Sequence, residues 1–356
     1  MLQVTRSQAL ASRVRAQQLD REAGTLDDTD VLDLGVQDTG PDGGLWALAI
    51  RGVTPADGGL TTVWTIRGAP HLYRRADLPE VAAATAPFSD ADAGKRIFDA
   101  SKPLKAAGIG NLDALDAVAA AMRSVVREPT VKGVMSRRVA DLMPTPYLRH
   151  CRPCDAVHLY EQPFRLAALR AGLELVAGTS PPVLQPIPDF APAPVAGERF
   201  DVVRGYLRLL GPATPQDVAG YLDAPVKDVK ARWPADAVEV SVDGTLCWAL
   251  GDLDGDPVRG VRLLGPFDPF LQARDRARLM PERDRQKELW PVLGRPGGVL
   301  ADGELAGTWR AAKKNRTVAI TVRLWSPADR EAIALQAERL AAFRGLGLAA
   351  VDISTD

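Results

Sequence analysis

The chain has 356 residues, with 44 Lys plus Arg against 45 Asp plus Glu and a formal net charge of -1, so it is no polycation and any nucleic-acid surface must be a local patch. Hydrophobic residues at 46% and charged residues at 25% describe an ordinary globular chain of about two to four domains. Three cysteines exclude a disulfide scaffold, no apolar run approaches the ~20 residues of a membrane span, and the first 19 residues lack a secretory core, so a cytoplasmic protein is expected.

In chain order, residues 5–19 predict an amphipathic helix. Residues 30–36 and the turn Gln37-Asp38-Thr39-Gly40 lead to a helix through Leu45, Leu48, Ala49 and Ile50, and residues 63–68 with 71–74 read as a hairpin. Helical spacing returns over residues 93–126 and at Val131, Val134, Val139 and Leu142, followed by a second hairpin from 147–151 and 156–160. A proline-rich stretch, 181–194, reads as a connector. Thr214, Pro215 and Asp217 then form a helix start, with Thr214 as cap, and Val218, Tyr221 and Leu222 give that helix its apolar face. After Asp223-Ala224-Pro225 a second helix carries Val226, Val229 and Trp233 inward and Lys227, Lys230 and Arg232 outward. Val238, Val240 and Val242 alternate up to Asp243-Gly244, a two-residue hairpin turn, and Leu246, Trp248 and Leu250 alternate back. From Val261 the pattern is strand-like, with Asp302-Gly303 as another tight turn and strong alternation over 317–324, until residues 331–343 return to helix.

Helix, helix and hairpin thus recur three times. The expected fold is α+β: three tandem winged-helix motifs (residues 1–88, 89–182 and 195–252) followed by a small C-terminal β-domain (258–356) with a terminal helix. A winged helix can place its second helix in a DNA groove or serve only to pack against protein. Basic residues favour the first use: Arg67, His71, Arg74 and Arg75 on one hairpin, Arg149, His150 and Arg152 on the next, and Arg310, Lys313, Lys314, Arg316 and Arg323 in a run from 309 to 325 without one acid. Cys151 and Cys154 form a C-x-x-C pair near His150 and His158. A structural zinc site takes four ligands and no second pair exists, so these read as packing thiols, with no metal and no cofactor expected.

Four segments, LGVQDTGPDGGLWALAIRG, WTIRGAPHLYRR, CRPCDAVHLYEQPFRLAALRAGLEL, and LLGPFDPFLQARDR followed by GGVLADGELAGTWR, resemble in order and spacing the winged-helix DNA glycosylases of the AlkZ/YcaQ type. The resemblance implies hydrolysis of the N-glycosidic bond of alkylated purines, including bulky adducts and crosslinks. Double-stranded, alkylated DNA would be the partner of a monomer away from membranes. Family members use a glutamine, a small or apolar residue, then a glutamine or aspartate; the aligned residues here are Gln37, Asp38 and Thr39. The first matches, Thr39 replaces the amide or carboxylate, and the acid stands in the middle at Asp38. The local pattern also allows plainer roles, Thr39 as a helix cap before Pro41 and Asp42 and Asp38 as a turn residue. The rival function is a non-catalytic DNA-binding protein such as a transcription factor, which would not need Gln37.

Overall fold

The computed structural model describes all of the chain except residues 41–42, 55–57, 154 and 356. It is a mixed α+β protein whose backbone contacts divide it into two units, each discontinuous in sequence: residues 1–56, 204–218 and 234–356 in one, 57–203 and 219–233 in the other.

The first unit is built around a five-stranded sheet. Val261–Leu264, Gly297–Ala301, Glu304–Lys314 and Thr317–Leu324 run antiparallel in that order, and Gly347–Thr355 joins the edge in parallel after the crossover helix Arg330–Phe343. Asp302-Gly303 turns the central hairpin with φ of 48° and 87°, and Asp243-Gly244 turns the hairpin of Val238–Val242 with Thr245–Ala249 at 45° and 82°. Both are the left-handed pairs that such a turn requires. Alternation over Thr317–Leu324 buries Val318, Ile320, Val322 and Leu324.

Against this sheet lies the N-terminal segment. Helix Arg6–Ala16 starts with a reciprocal cap, in which the Gln8 amide donates to Thr5 Oγ1 and the Thr5 amide to Gln8 Oε1. Helix Gly43–Ala49 buries Trp46 completely, its Nε1 donating to the Leu263 carbonyl at 2.7 Å and its ring 5.3 Å from Phe343. Arg51 and Asp268, both without solvent exposure, form a two-pronged ion pair at 2.8 and 3.0 Å, and Arg51 also donates to the carbonyls of Gln17 and Ala47. The hairpin at Asp243-Gly244 also departs from expectation. Cross-strand partners share a face, so Cys247 opposite Val240 and Ala249 opposite Val238 point the same way. Cys247 and Ala249 are buried with Val240 and Val242, whereas Leu246 is exposed on the other face.

In the second unit, strands Pro70–Arg74, Leu60–Trp64, Leu173–Leu175, Val183–Pro186 and Thr130–Val131 lie side by side in that order. Val183–Pro186 falls inside the stretch expected to be a bare connector. The core rests on helix Asn111–Val125, where Leu115, Val118, Ala119 and Met122 recur on one face and meet Met135 and Val139 of Lys132–Leu142 and Phe164 and Ala167 of Glu161–Arg170. The expected hairpin is formed by Leu148–Cys151 and Ala156–Leu159.

Candidate active-site cleft

Strand Val36–Gln37 follows Gly35 and leads into Asp38 and Thr39, with Gln37, Asp38 and Thr39 all half-buried, and Thr39 lines a cleft in the first unit. Gln37 Nε2 donates to Thr39 Oγ1 at 3.1 Å, which orients the amide. Asp38 Oδ1 accepts from the Gly44 backbone N–H at 2.9 Å. Asp38 thus accepts at this helix start from six residues ahead; Pro41 and Asp42, on which the expectation of a Thr39 cap rests, lie outside the described residues. Gly43 makes the arrangement possible: its φ is +50° and a Cβ there would stand 2.0 Å from Asp38 Oδ1.

The cleft holds about 230 Å³ and is walled by Thr39, Gly43, Phe267, Arg295, Trp309 and Arg310. Trp309 is buried, its Nε1 donating to the Leu264 carbonyl at 2.8 Å, and a Cβ on Gly297 would come within 2.1 Å of that nitrogen. Arg295 lies over the Phe267 ring at 5.2 Å. The volume is below the ~300 Å³ at which pockets for drug-sized ligands begin, so the space suits a group smaller than a drug-sized ligand. Phe267 and Arg295 were not singled out as site residues from sequence. Their signal was faint: a phenylalanine in LLGPFDPF and an arginine just ahead of a strand.

From the cleft wall the strand Glu304–Lys314 continues outward. Arg310 lines the cleft, and three residues on, Lys313, Lys314, Asn315 and Arg316 form the exposed hairpin tip before Thr317. None of Arg310, Lys313, Lys314 and Arg316 has a carboxylate partner among the described residues, so their charge is uncompensated. The other expected basic hairpin behaves differently. His71 is 1% exposed; Nδ1 faces the Ala69 carbonyl at 3.0 Å and Thr65 Oγ1 at 3.1 Å, and burial followed by the nearby Arg67 charge pushes its pKa down to about 3. Arg74 is buried against Asp77 at 3.1 Å, Arg75 pairs with Glu174 at 2.8 Å, and Arg67 donates to the Tyr221 carbonyl with its guanidinium over the Tyr221 ring. Proximity in sequence suggested one phosphate-facing patch; His71 and Arg74 are instead sealed from solvent, whereas Arg67 stays half-buried and Arg75 exposed, each with an internal partner.

On the second hairpin, His150 stands 3.3 Å from Asp155 and Arg149 lies over Tyr160. Cys154 lies outside the described residues, and no group of three or more potential metal ligands occurs among the rest. No helix among the described residues is long and apolar enough to cross a membrane.

Comparison with known proteins places the fold and the family. The solved structure of the Streptomyces sahachiroi DNA glycosylase AlkZ is similar with a TM-score of 0.74, covering 99% of this chain and 100% of that one at 18% identity, a likeness of fold. No curated protein matches the chain in sequence. The rim residues 37–39 lie ahead of the segment that the family model spans. That model, described as DNA glycosylase AlkZ-like, matches residues 46–343, and the chain belongs to this family of DNA glycosylases, proteins of DNA repair that act on bound DNA.

Proposed function

We propose that the protein hydrolyses the N-glycosidic bond of alkylated purines in duplex DNA, working as a monomer with three winged-helix modules (1–88, 89–182, 195–252) and a C-terminal β-domain (258–356). One observation carries the reading: Thr39, with Gln37 bonded to it and Asp38 bonded to Gly44 beside the lining residue Gly43, borders a small cleft whose wall runs on into an uncompensated basic hairpin tip. Backbone phosphate is the natural partner of Lys313, Lys314 and Arg316. A base turned out of the stack would enter beside Trp309 and Phe267.

The chemistry then asks little of an acid. Alkylation already makes the ring cationic, so the C1′–N bond breaks with its electron pair leaving on the base, and the base departs neutral. Water adds to C1′ and loses one proton, giving free base and an abasic site. The enzyme must hold that water and stabilise the oxocarbenium-like sugar. Gln37 holds the water through its amide oxygen, the amide being oriented by the bond from its nitrogen to Thr39. Asp38, fixed by the Gly44 amide, supplies negative charge and takes the water's proton. A base-release assay on duplex DNA carrying N7-methylguanine tests the reading. Release by the wild type supports it, and binding without release from any alkylated substrate would leave only a DNA-binding protein.

A further inference from the structure

One group of charges beside the cleft lacks counter-ions. Arg274, Arg276 and Arg295 have no carboxylate within ion-pair distance among the described residues. Asp275 stands between the first two in sequence, but Arg13 takes both its oxygens at 3.2 and 2.8 Å and Arg278 donates to it as well, at 2.8 Å. Arg274 Nε is buried and has no hydrogen-bond partner. Arg276 lies over Trp290 at 4.9 Å and Arg295 over Phe267 at 5.2 Å, contacts that hold the guanidiniums in place without neutralising them. Burial, and then repulsion from Arg274, lowers the pKa of both Arg276 and Arg295, with Arg295 repelling Arg276 in addition. Partly buried like charges without counter-ions are costly on their own and favourable around a bound anion.

We infer that Arg274, Arg276 and Arg295 grip a backbone phosphate of DNA next to the nucleotide whose base enters the cleft. Arg295 is on the cleft wall, so the gripped phosphate is an immediate neighbour of that nucleotide. The anchoring role is distinct from that of the hairpin tip: it fixes the strand at the point where the base leaves the stack. The inference rests on the glycosylase reading only for the position of the lesion.

The test measures binding of the full chain to a duplex with one abasic-site analogue, in which the three phosphates on either side are replaced one at a time by neutral methylphosphonate. For the wild type, one or two adjacent positions are expected to carry most of the lost affinity; an even loss across all six would overturn the grip, whatever any variant does. Arg295→Gln is expected to lower the slope of log affinity against log salt by about 0.9, the value of one phosphate contact, and to abolish sensitivity at the special position. Arg295→Lys is expected to restore the slope. A folded Arg276→Gln/Arg295→Gln protein with the wild-type slope and position dependence would refute the inference. Base release, scored separately, keeps the two readings apart: a wild type that shows the special position yet releases no base loses the glycosylase function and keeps the grip, and a wild type that releases base without a special position does the reverse.

Discussion

His71 predicts a specific pH dependence of stability. Its Nδ1 faces the Ala69 carbonyl, which can only accept, so the buried ring is the neutral Nδ1–H form; a second proton would have to enter a site closed to water and near Arg67. The folded pKa of about 3 lies below the ordinary 6.5, so the unfolded chain binds the extra proton first and stability falls as pH drops through 6.5 toward 3. At 1.36 kcal/mol per unit the loss is about 0.7 kcal/mol at pH 6 and about 2 kcal/mol at pH 5, relative to pH 7. Glu161 and Glu174, held below the usual carboxylate range by ion pairs and hydrogen bonds that outweigh burial, lose their contribution only at lower pH. His71→Asn keeps an N–H donor for Ala69 and removes the titration. Urea unfolding at pH 7 and pH 5, followed by tryptophan fluorescence and circular dichroism, is expected to show a fall steeper by about 2 kcal/mol in the wild type than in the variant. Equal falls in the two proteins would refute the buried, neutral ring.

Other expectations concern the cleft and its support. Gln37→Ala is expected to slow base release ~100-fold while the dissociation constant for the same duplex stays within a factor of a few, and parallel loss of both would make Gln37 a binding residue. Asp38→Asn retains a capping oxygen for Gly44, so unchanged thermal stability with release slowed by ~100-fold or more is expected; a wild-type rate would leave Asp38 as a cap only. Lys313→Ala/Lys314→Ala is expected to flatten the salt dependence of DNA affinity by about two units, one per phosphate contact, and an unchanged slope would make the tip mere solvated surface. Asp268→Ala strands the buried Arg51 charge and is expected to cost about 3–5 kcal/mol in denaturant unfolding, which a loss under 1 kcal/mol would contradict.

Much of the secondary structure was legible wherever a local rule sufficed. Asp243-Gly244 and Asp302-Gly303 name their turns because few other pairs accept positive φ twice, and Val318, Ile320, Val322 and Leu324 carry the sheet's period in plain view. Rules of fixed spacing failed where the chain reached further. Asp38 caps a helix from six residues away, twice the usual offset. Gly347–Thr355 alternates only over its last residues, Val351, Ile353 and Thr355, and most of the strand is exposed at the sheet edge, too short a signal to mark all nine residues. Leu246 and Trp248 alternate as convincingly as Cys247 and Ala249, and only the pairing with Val238 and Val240 decides which face is buried. Cationic clusters were the least readable. Arg75 meets Glu174, 99 residues away, and the three arginines beside the cleft are 274, 276 and 295; no one-dimensional window tells a satisfied arginine from an uncompensated one.

The long-range ties of the first unit also set a timetable for its synthesis. Arg51 finds Asp268, and Trp46 finds the Leu263 carbonyl, across 217 residues. At about 5–20 residues per second, a ribosome leaves the N-terminal segment without these partners for roughly 10–40 s. Throughout that interval Trp46 and the Arg51 guanidinium, both wholly buried in the finished protein, are exposed on an incomplete chain. Nascent protein therefore passes through a stage in which its earliest-made residues are the last to close, and that stage is where chaperone binding and proteolysis find their target.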